Sequence, residues 1–221
     1  MLSKRVKRQD KIVLSLFLAS VVFLASRPLF AEFYGAGFLG GTVASKVDIK
    51  ETGPGVNIKI SGAKVDSSVF GGFKFGYWID GLPYVGLESS LDFFAADVPG
   101  QVSGPFILNP TDVSVTAWGF TLMGRVPVEV SKRYPGGRFH PYIGVGPGIF
   151  FVTGKRGGED SDVAVGLQVL AGVKAFLVPN LALFFEYKYS AFTPEFDVAG
   201  GRKDKFEYGI NAIVLGLAAH F

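Results

Sequence analysis

The chain has 221 residues, of which 48% are hydrophobic and 14% aromatic, with 30 glycines and no cysteine. The lack of cysteine excludes a disulfide framework and a thiolate metal site. The formal net charge is +3, but removing the first 31 residues leaves 16 basic and 18 acidic groups, a net charge of −2. A basic surface for nucleic acid is therefore not expected.

The first 31 residues have the form of a secretory signal peptide. Basic residues open this segment, residues 12–25 are apolar, and Ala31 offers a small residue before Glu32. The apolar stretch is shorter than the roughly 20 residues of a membrane-anchoring helix, which favours a signal. We predict cleavage after Ala31, export through the periplasm, and one domain over residues 32–221.

Hydrophobic alternation of period 2 predicts eight β-strands in that domain. In the second strand, for example, Phe73 and Phe75 share one face while Lys74 lies on the other. In the first strand, Tyr34 and Phe38 share a face. The predicted strands cover residues 33–44, 67–79, 84–95, 113–128, 139–152, 163–177, 181–190 and 206–221.

Long polar segments alternate with short turns between these strands. The long segments are residues 45–66, 97–112 and 191–205, with a shorter charged loop at 153–162; the turns are residues 80–83, 129–138 and 178–180. Outer-membrane barrels show the same alternation, with long loops outside the cell and short turns in the periplasm. Loops of this kind carry function, and we expect exposed apolar side chains on them. The expected side chains are Val56, Ile58, Phe192 and Phe196, with an apolar tip at Phe106–Leu108.

The domain lacks the run of ~18 apolar residues that a spanning helix needs, whereas a closed barrel crosses a membrane with every backbone group paired. We predict an all-β fold, an eight-stranded antiparallel transmembrane up-and-down β-barrel with apolar side chains outside. A soluble lipocalin-like barrel is the alternative, but its outer face would be thinly charged and rich in glycine. The aromatic residues expected in interfacial girdles are Tyr77, Tyr84, Tyr142, Tyr187, Tyr189 and Phe221.

Polar residues on the opposite strand faces form the candidate site inside the barrel. They are Lys74, Glu88, Asp92, Arg125, Gln168, Lys174, Glu186 and Lys188. Because charges in a lumen of low dielectric constant need partners, we expect a salt-bridge network that plugs the barrel. A polar conduit or gate is the alternative, and the sequence does not specify which groups pair.

The sequence offers little support for a catalytic, metal or cofactor site. A nucleophilic enzyme needs a base beside its nucleophile, and His140 and His220 are the two histidines available. Both are predicted at the periplasmic end of the barrel, so we expect no enzyme, and neither a metal nor a cofactor.

Several stretches resemble a known family. Phe33–Gly37, Pro141–Gly146, Val178–Tyr187 and the terminal Phe221 are similar to the small outer-membrane barrels of the OmpA, OmpX and OmpW type and to opacity-type surface proteins. The resemblance implies a monomer in the outer membrane of a Gram-negative cell, with Phe221 as the signal for the assembly machinery. It also implies contact with outer-membrane lipid and lipopolysaccharide. The long loops, where function is expected on such a scaffold, are predicted to bind a host molecule, lipopolysaccharide or another surface partner.

Three functions remain open at this point. The first is a structural or surface-recognition barrel with a plugged lumen, such as a surface antigen, and we favour it. The second is a narrow, porin-like channel for small or hydrophobic solutes, in the manner of the OmpW-like proteins. The third is an outer-membrane enzyme that modifies lipid.

Overall fold

The computed structural model describes residues 32–53, 56–103, 106–108, 110–134, 136–155, 159–198 and 202–221. Among these residues no helix is long and apolar enough to cross a membrane. They form thirteen β-strands: β1 (Glu32–Thr42), β2 (Lys46–Gly53), β3 (Val56–Lys64), β4 (Val69–Trp78), β5 (Val85–Ala95), β6 (Gln101–Ser103), β7 (Phe106–Leu108), β8 (Asp112–Arg125), β9 (Phe139–Lys155), β10 (Glu159–Val178), β11 (Leu181–Phe192), β12 (Glu195–Val198) and β13 (Arg202–His220).

Eight of these strands close into a barrel. The wall runs β1-β4-β5-β8-β9-β10-β11-β13 with antiparallel neighbours. The last strand pairs back onto the first, from Tyr34 opposite His220 to Thr42 opposite Ala212. Closure leaves no unpaired edge strand in the wall, so no exposed strand edge can pair with another chain. The predicted eight-stranded antiparallel barrel is therefore confirmed.

The outer surface of the wall is apolar and the inner surface carries the polar groups. Outward side chains such as Phe73, Val165 and Leu215 are 56%, 75% and 52% exposed. This arrangement matches a barrel with an apolar exterior and contradicts the lipocalin-like alternative. Tyr142 was wrongly predicted for an outer girdle, because its position on β9 turns the ring into the lumen, where it is buried.

Strand β1 has its apolar face inside the barrel, unlike the other predicted strands. Tyr34, Ala36 and Phe38 are buried. Outward positions on β1 include Gly35 and Gly37, and a Cβ on Gly35 would lie 3.2 Å from the Phe75 ring of β4. The neighbouring aromatic side chain therefore covers the glycine face of β1.

The long loops are largely ordered hairpins at one end of the barrel. We call β2, β3, β12 and residues 202–209 of β13 the crown. Strand β2 pairs with both β13 and β3, and β12 pairs with β13. Segments 45–66 and 191–205 were therefore wrongly predicted as loops, because their polar composition hid the strand pattern. Strands β6 and β7 form a separate two-stranded ribbon, and the side chains of Phe106–Leu108 lie outside the described residues.

The crown has an apolar interior of its own. Val47, Ile49, Ile60 and Phe206 are all buried. The expectation that Phe192 is exposed was wrong, because this ring is 3% exposed and turns into the barrel. Ile58 and Phe196 are partly buried and pack against the same core, while the side chain of Val56 lies outside the described residues. A buried interior fixes the hairpins in place, unlike mobile loops.

The opposite end of the barrel carries the short turns and both ends of the domain. The Phe221 N–H donates to Phe33 O at 2.9 Å. The turn between β8 and β9 folds back, and the Tyr134 hydroxyl donates to Leu177 O at 3.1 Å. The topology of outer-membrane barrels assigns this end to the periplasm and the crown to the cell exterior.

Candidate functional site

A lower layer of buried ion pairs joins β4, β5 and β11 near the middle of the lumen. Lys74 Nζ lies 2.6 Å from Glu186 Oε2 and 3.2 Å from Glu88 Oε1. Two tyrosine hydroxyls complete the layer: Tyr34 donates to Glu88 at 2.6 Å and Tyr142 donates to Glu186 at 2.8 Å. Each carboxylate therefore accepts from a cation and from a neutral donor, which buried charges require.

An upper layer lies closer to the crown and joins β5, β10 and β11. Lys188 Nζ contacts Asp92 Oδ2 at 2.6 Å and donates to Ser90 Oγ at 3.1 Å. Gln168 Nε2 also donates to Asp92 Oδ2, at 3.1 Å. The Gln168 amide fits because Gly119 faces it, and a Cβ there would lie 2.0 Å from Gln168 Oε1.

A third cluster closes the periplasmic end of the lumen. Arg125 donates to both carboxylate oxygens of Glu32, at 3.0 and 2.5 Å, and its guanidinium lies 4.1 Å from the centre of the Trp78 ring. His220 Nδ1 lies 2.6 Å from Glu32 Oε1. When His220 donates through Nδ1, its Nε2 is free to accept from Lys174 Nζ at 3.2 Å. Glu32 thereby links the first strand to β8 and β13.

The structure places all eight predicted lumen residues inside the barrel, where each is 7% exposed or less. It groups Lys74 with Glu88 and Glu186, and Asp92 with Gln168 and Lys188. Arg125 and Lys174 belong instead to the periplasmic cluster. The partners of these residues were not predicted from the sequence. Glu32 lies two residues before the buried Tyr34 and therefore points to the same face of β1, which was the available signal.

The charges of the three lumen clusters balance, with seven of the eight charged side chains buried and Glu32 one-third exposed. Four cationic and four anionic side chains of the described lumen contribute to the three clusters. They are Lys74, Arg125, Lys174 and Lys188, and Glu32, Glu88, Asp92 and Glu186. A neutral set has no excess charge with which to attract a permeating ion.

Aromatic rings fill the lumen above the upper ion pairs and reach Tyr208 of the crown. Phe150 stacks on Phe192 with centroids 4.2 Å apart, and Phe192 stacks on Tyr208 at 5.2 Å. On the other side of the lumen, Phe70 stacks on Phe94 at 5.0 Å. All five rings are buried. We call these five residues the ring plug.

Little free space remains around the ion pairs. The cavity bordered by Lys74, Trp78, Glu88 and Lys174 holds about 10 Å³ for a water-sized sphere. That volume is about enough for one water molecule. The ion pairs fill the middle of the lumen and the ring plug lies above them, while a recess of about 350 Å³ bordered by Glu32, His140 and His220 lies at the periplasmic end.

Neither histidine touches a hydroxyl group among the described residues. His140 Nε2 lies 2.8 Å from Gly136 O and His140 Nδ1 lies 3.4 Å from Arg125. The hydrogen bonds of His220 go to Glu32 and Lys174. Within the described part of the chain, no three His, Asp or Glu side chains come together as a metal site. Most polar groups of the lumen are therefore engaged with one another, although Asp92 Oδ1 and Gln168 Oε1 are buried without a hydrogen-bond partner in the described ranges.

Comparison with known proteins agrees with this architecture. The family model of the outer membrane protein beta-barrel domain matches residues 16–221. The outer membrane protein OprG from Pseudomonas aeruginosa is 17% identical over 86% of this chain and 95% of its own, with a TM-score of 0.58. Neisserial surface protein A is 17% identical over 86% of this chain and 97% of its own, with a TM-score of 0.49. No curated protein matches the chain. The likeness to OprG shows a shared fold.

Proposed function

The chain belongs to the outer membrane protein β-barrel domain family, and from this premise we propose that it is a structural and surface-recognition barrel whose crown binds ligands outside the cell. The protein resides in the outer membrane of a Gram-negative cell. Its partners in this role are a host or surface ligand at the crown and the lipid around the wall.

The filled lumen is the observation that carries the proposal. A conduit needs a path for solute, whereas the three charge clusters are mutually compensated and the ring plug occupies the lumen above them. To open such a path, buried ion pairs must separate without water, which is unfavourable. The lumen therefore supports a plug, and function falls to the exposed surface.

The crown suits recognition because its hairpins are preorganised. Paired strands and a buried core hold its exposed side chains in fixed positions, and a preorganised surface loses less entropy on binding. Charged side chains of both signs lie on it, including the paired Lys205 and Glu195 and the exposed Lys59. A polar ligand of mixed charge fits this surface best.

Single-channel recording in a planar bilayer tests the plug. The chain recovered from outer membranes is inserted, and its fold is checked by heat-modifiable gel mobility. We expect a folded, inserted and silent barrel. Discrete openings that change in the Lys74→Ala or Arg125→Ala variant would overturn the proposal and establish the narrow channel instead.

Recognition is tested on whole cells. Cells that display the chain are applied to an array of host-surface glycans and proteins, beside cells whose β2–β3 hairpin is replaced by a two-residue turn. We expect binding by the first and loss of that binding by the second, at equal amounts of folded barrel. Equal binding by both would contradict a role for the crown. A changed mass of lipid A in these cells would support the enzyme alternative.

A further inference from the structure

A small cavity lies where the lower layer of ion pairs meets the periplasmic cluster. Lys74 and Glu88 of the lower layer border it, together with Trp78 and Lys174 of the periplasmic cluster. The cavity has a volume of about 10 Å³, and a volume of this size holds one water molecule or one ion of similar size. The groups on its border therefore decide which single ligand it binds.

The indole N–H of Trp78 has no acceptor within the described part of the chain. Trp78 is 3% exposed, and its Nε1 atom is buried without a hydrogen-bond partner. Arg125 lies over the Trp78 ring, but a guanidinium group donates hydrogen bonds and cannot accept them. Because a buried donor without an acceptor is unfavourable, a ligand that accepts from Trp78 would stabilise the folded barrel.

Lys174 is the second group on the border with donors to spare. It is buried, and its Nζ lies 3.2 Å from His220 Nε2 and 3.7 Å from the centre of the Tyr34 ring. No carboxylate lies within 4.0 Å of Lys174 Nζ among the residues that the structure describes, whereas each of the other three lumen cations contacts one. An ammonium group has three N–H donors, so Lys174 can donate into the cavity and still contact His220.

The border of the cavity carries a positive net charge, although the lumen as a whole is balanced. Two ammonium groups, those of Lys74 and Lys174, border it with one carboxylate, that of Glu88. Both Glu88 oxygens already accept hydrogen bonds, from Lys74 at 3.2 Å and from Tyr34 at 2.6 Å. The capacity left on Trp78 and Lys174 is that of donors. Donors around a positive site favour an anion, because a charge-assisted hydrogen bond is stronger than a neutral one.

We propose that the cavity binds one halide ion, chloride in the cell, which accepts hydrogen bonds from Trp78 Nε1 and Lys174 Nζ. A water molecule in this position would leave the charge of Lys174 without a counter-ion, whereas a halide supplies one. Met123 also borders the cavity, and its flexible side chain makes room for an ion slightly larger than water. The recess at the periplasmic end gives access, because His220 borders the recess and contacts Lys174.

The bound ion becomes a fixed part of the plug. It is held between two buried donors, so the site retains the ion and does not conduct it. The inference goes beyond the proposed recognition by the crown, because the cavity lies toward the other end of the barrel. Either proposal can therefore fail without the other.

Fluorescence of the chain recovered from outer membranes, in detergent micelles, tests the site, because the protein has two tryptophans, Trp78 and Trp118. In the Trp118→Phe variant, Trp78 is the remaining indole, and a bound heavy halide quenches its emission. Bromide is titrated against sodium gluconate at constant ionic strength. We expect quenching that saturates and that chloride reverses by competition. The Trp78→Phe variant retains Trp118, whose Nε1 donates to Ser89 Oγ at 3.0 Å, and is expected to show no saturable quenching.

Lys174→Met in the Trp118→Phe background removes the counter-charge of the ion. It is expected to raise the bromide concentration at half-saturation about tenfold, the size expected for one charge-assisted contact. The matched control is Lys132→Met, which makes the same charge change on the exposed periplasmic turn. It is expected to alter this concentration by less than about twofold, because the contact is local. An equal rise in both variants, or quenching that never saturates, would overturn the proposal and leave the cavity to water.

Stability gives a second test that does not require Lys174→Met to fold. The urea concentration at the unfolding midpoint is measured in sodium chloride and in sodium gluconate at equal ionic strength, because gluconate is too large for the cavity. The Trp118→Phe variant is expected to have the higher midpoint in chloride. The Trp78→Phe variant is expected to lose this difference, since it keeps an aromatic ring without the N–H. The same salt dependence in both variants would overturn the proposal.

Discussion

The ring of Tyr34 lies across Gly76, its register partner on β4, and a Cβ on Gly76 would lie 2.2 Å from the Tyr34 ring. The glycine thus makes room for the ring, and the ring brings its hydroxyl to Glu88. The same relationship holds for Phe184 over Gly216, where a Cβ would lie 2.4 Å from the ring. Inward glycines of the wall therefore leave the space that the large lumen side chains occupy.

Gly76→Ala is expected to destabilise the barrel by about 1–3 kcal/mol, the usual range for overpacking a filled interior. The added methyl group displaces the Tyr34 ring, and Glu88 loses its neutral donor. Urea unfolding in lipid vesicles measures the change. Gly124→Ala is the matched control, because a Cβ there meets its nearest atom at 3.9 Å. An equal effect of both substitutions would show that loss of glycine alone, and not the Tyr34 ring, is responsible.

Lys188→Met is expected to lower the free energy of unfolding by about 3–5 kcal/mol, because it leaves Asp92 charged and buried without its cation. The double variant Lys188→Met with Asp92→Leu is expected to lose less, since no charge remains unpaired. Unfolding of both variants in the same vesicles measures the difference. If the double variant were less stable than Lys188→Met alone, the loss of stability in Lys188→Met would not come from the unpaired charge of Asp92.

Glu32→Ala is expected to cost about 1–2 kcal/mol, because Arg125 and His220 lose a shared acceptor that is itself one-third exposed. The temperature of the heat-modifiable gel shift measures the loss. For a chain of this size it falls by about 2–4 °C per kcal/mol. Glu129→Gln, which removes an exposed pair with Arg138, serves as the control and is expected to leave this temperature unchanged. A comparable drop in the control would remove any special role for the periplasmic cluster.

Phe206→Ala is expected to loosen the crown and leave the barrel intact. Phe206 is buried and its ring lies 5.7 Å from that of Phe196, so truncation removes the contact that joins two crown strands. Trypsin treatment of intact cells should then cleave at Lys59, which we expect to resist cleavage in the parent chain because β3 is paired with β2. Phe93→Ala, on the outer wall, should cause no new cleavage. Unchanged resistance of the Phe206→Ala variant would mean that the crown is held by its backbone pairing alone.

The mass of the protein recovered from outer membranes is expected to correspond to a chain that begins at Glu32. Ala31 is a small residue of the kind that signal peptidase requires before the cleaved bond. Intact-mass measurement tests the boundary directly. A chain that retains residues before Glu32 would show that the N-terminal segment is not removed at this site.

The face of the wall to which each strand residue points was the feature of the structure that the sequence revealed most clearly. Alternation around Lys74, Glu186 and Lys188 placed these side chains inside the barrel, because successive residues of a strand point to opposite faces. The girdle prediction for Tyr142 was wrong because it followed residue type: Tyr142 lies on the same strand face as Gly144 and Gly146, and its ring is buried in the lumen. The alternation was missed in the crown, where β2 and β12 carry charged residues on their exposed faces and resemble loops.

The sequence by itself determined the closed barrel, the inner and outer faces of most of its strands and the end that carries the short turns, because each depends on local alternation and turn chemistry; the faces of β1 were the exception. Only the tertiary structure decided that Lys74 pairs with Glu186, and that Glu32 joins Arg125 to His220. These contacts cross the lumen between strands that are distant in sequence. Their geometry depends on strand register and tilt around the whole barrel, which a period of two residues does not encode.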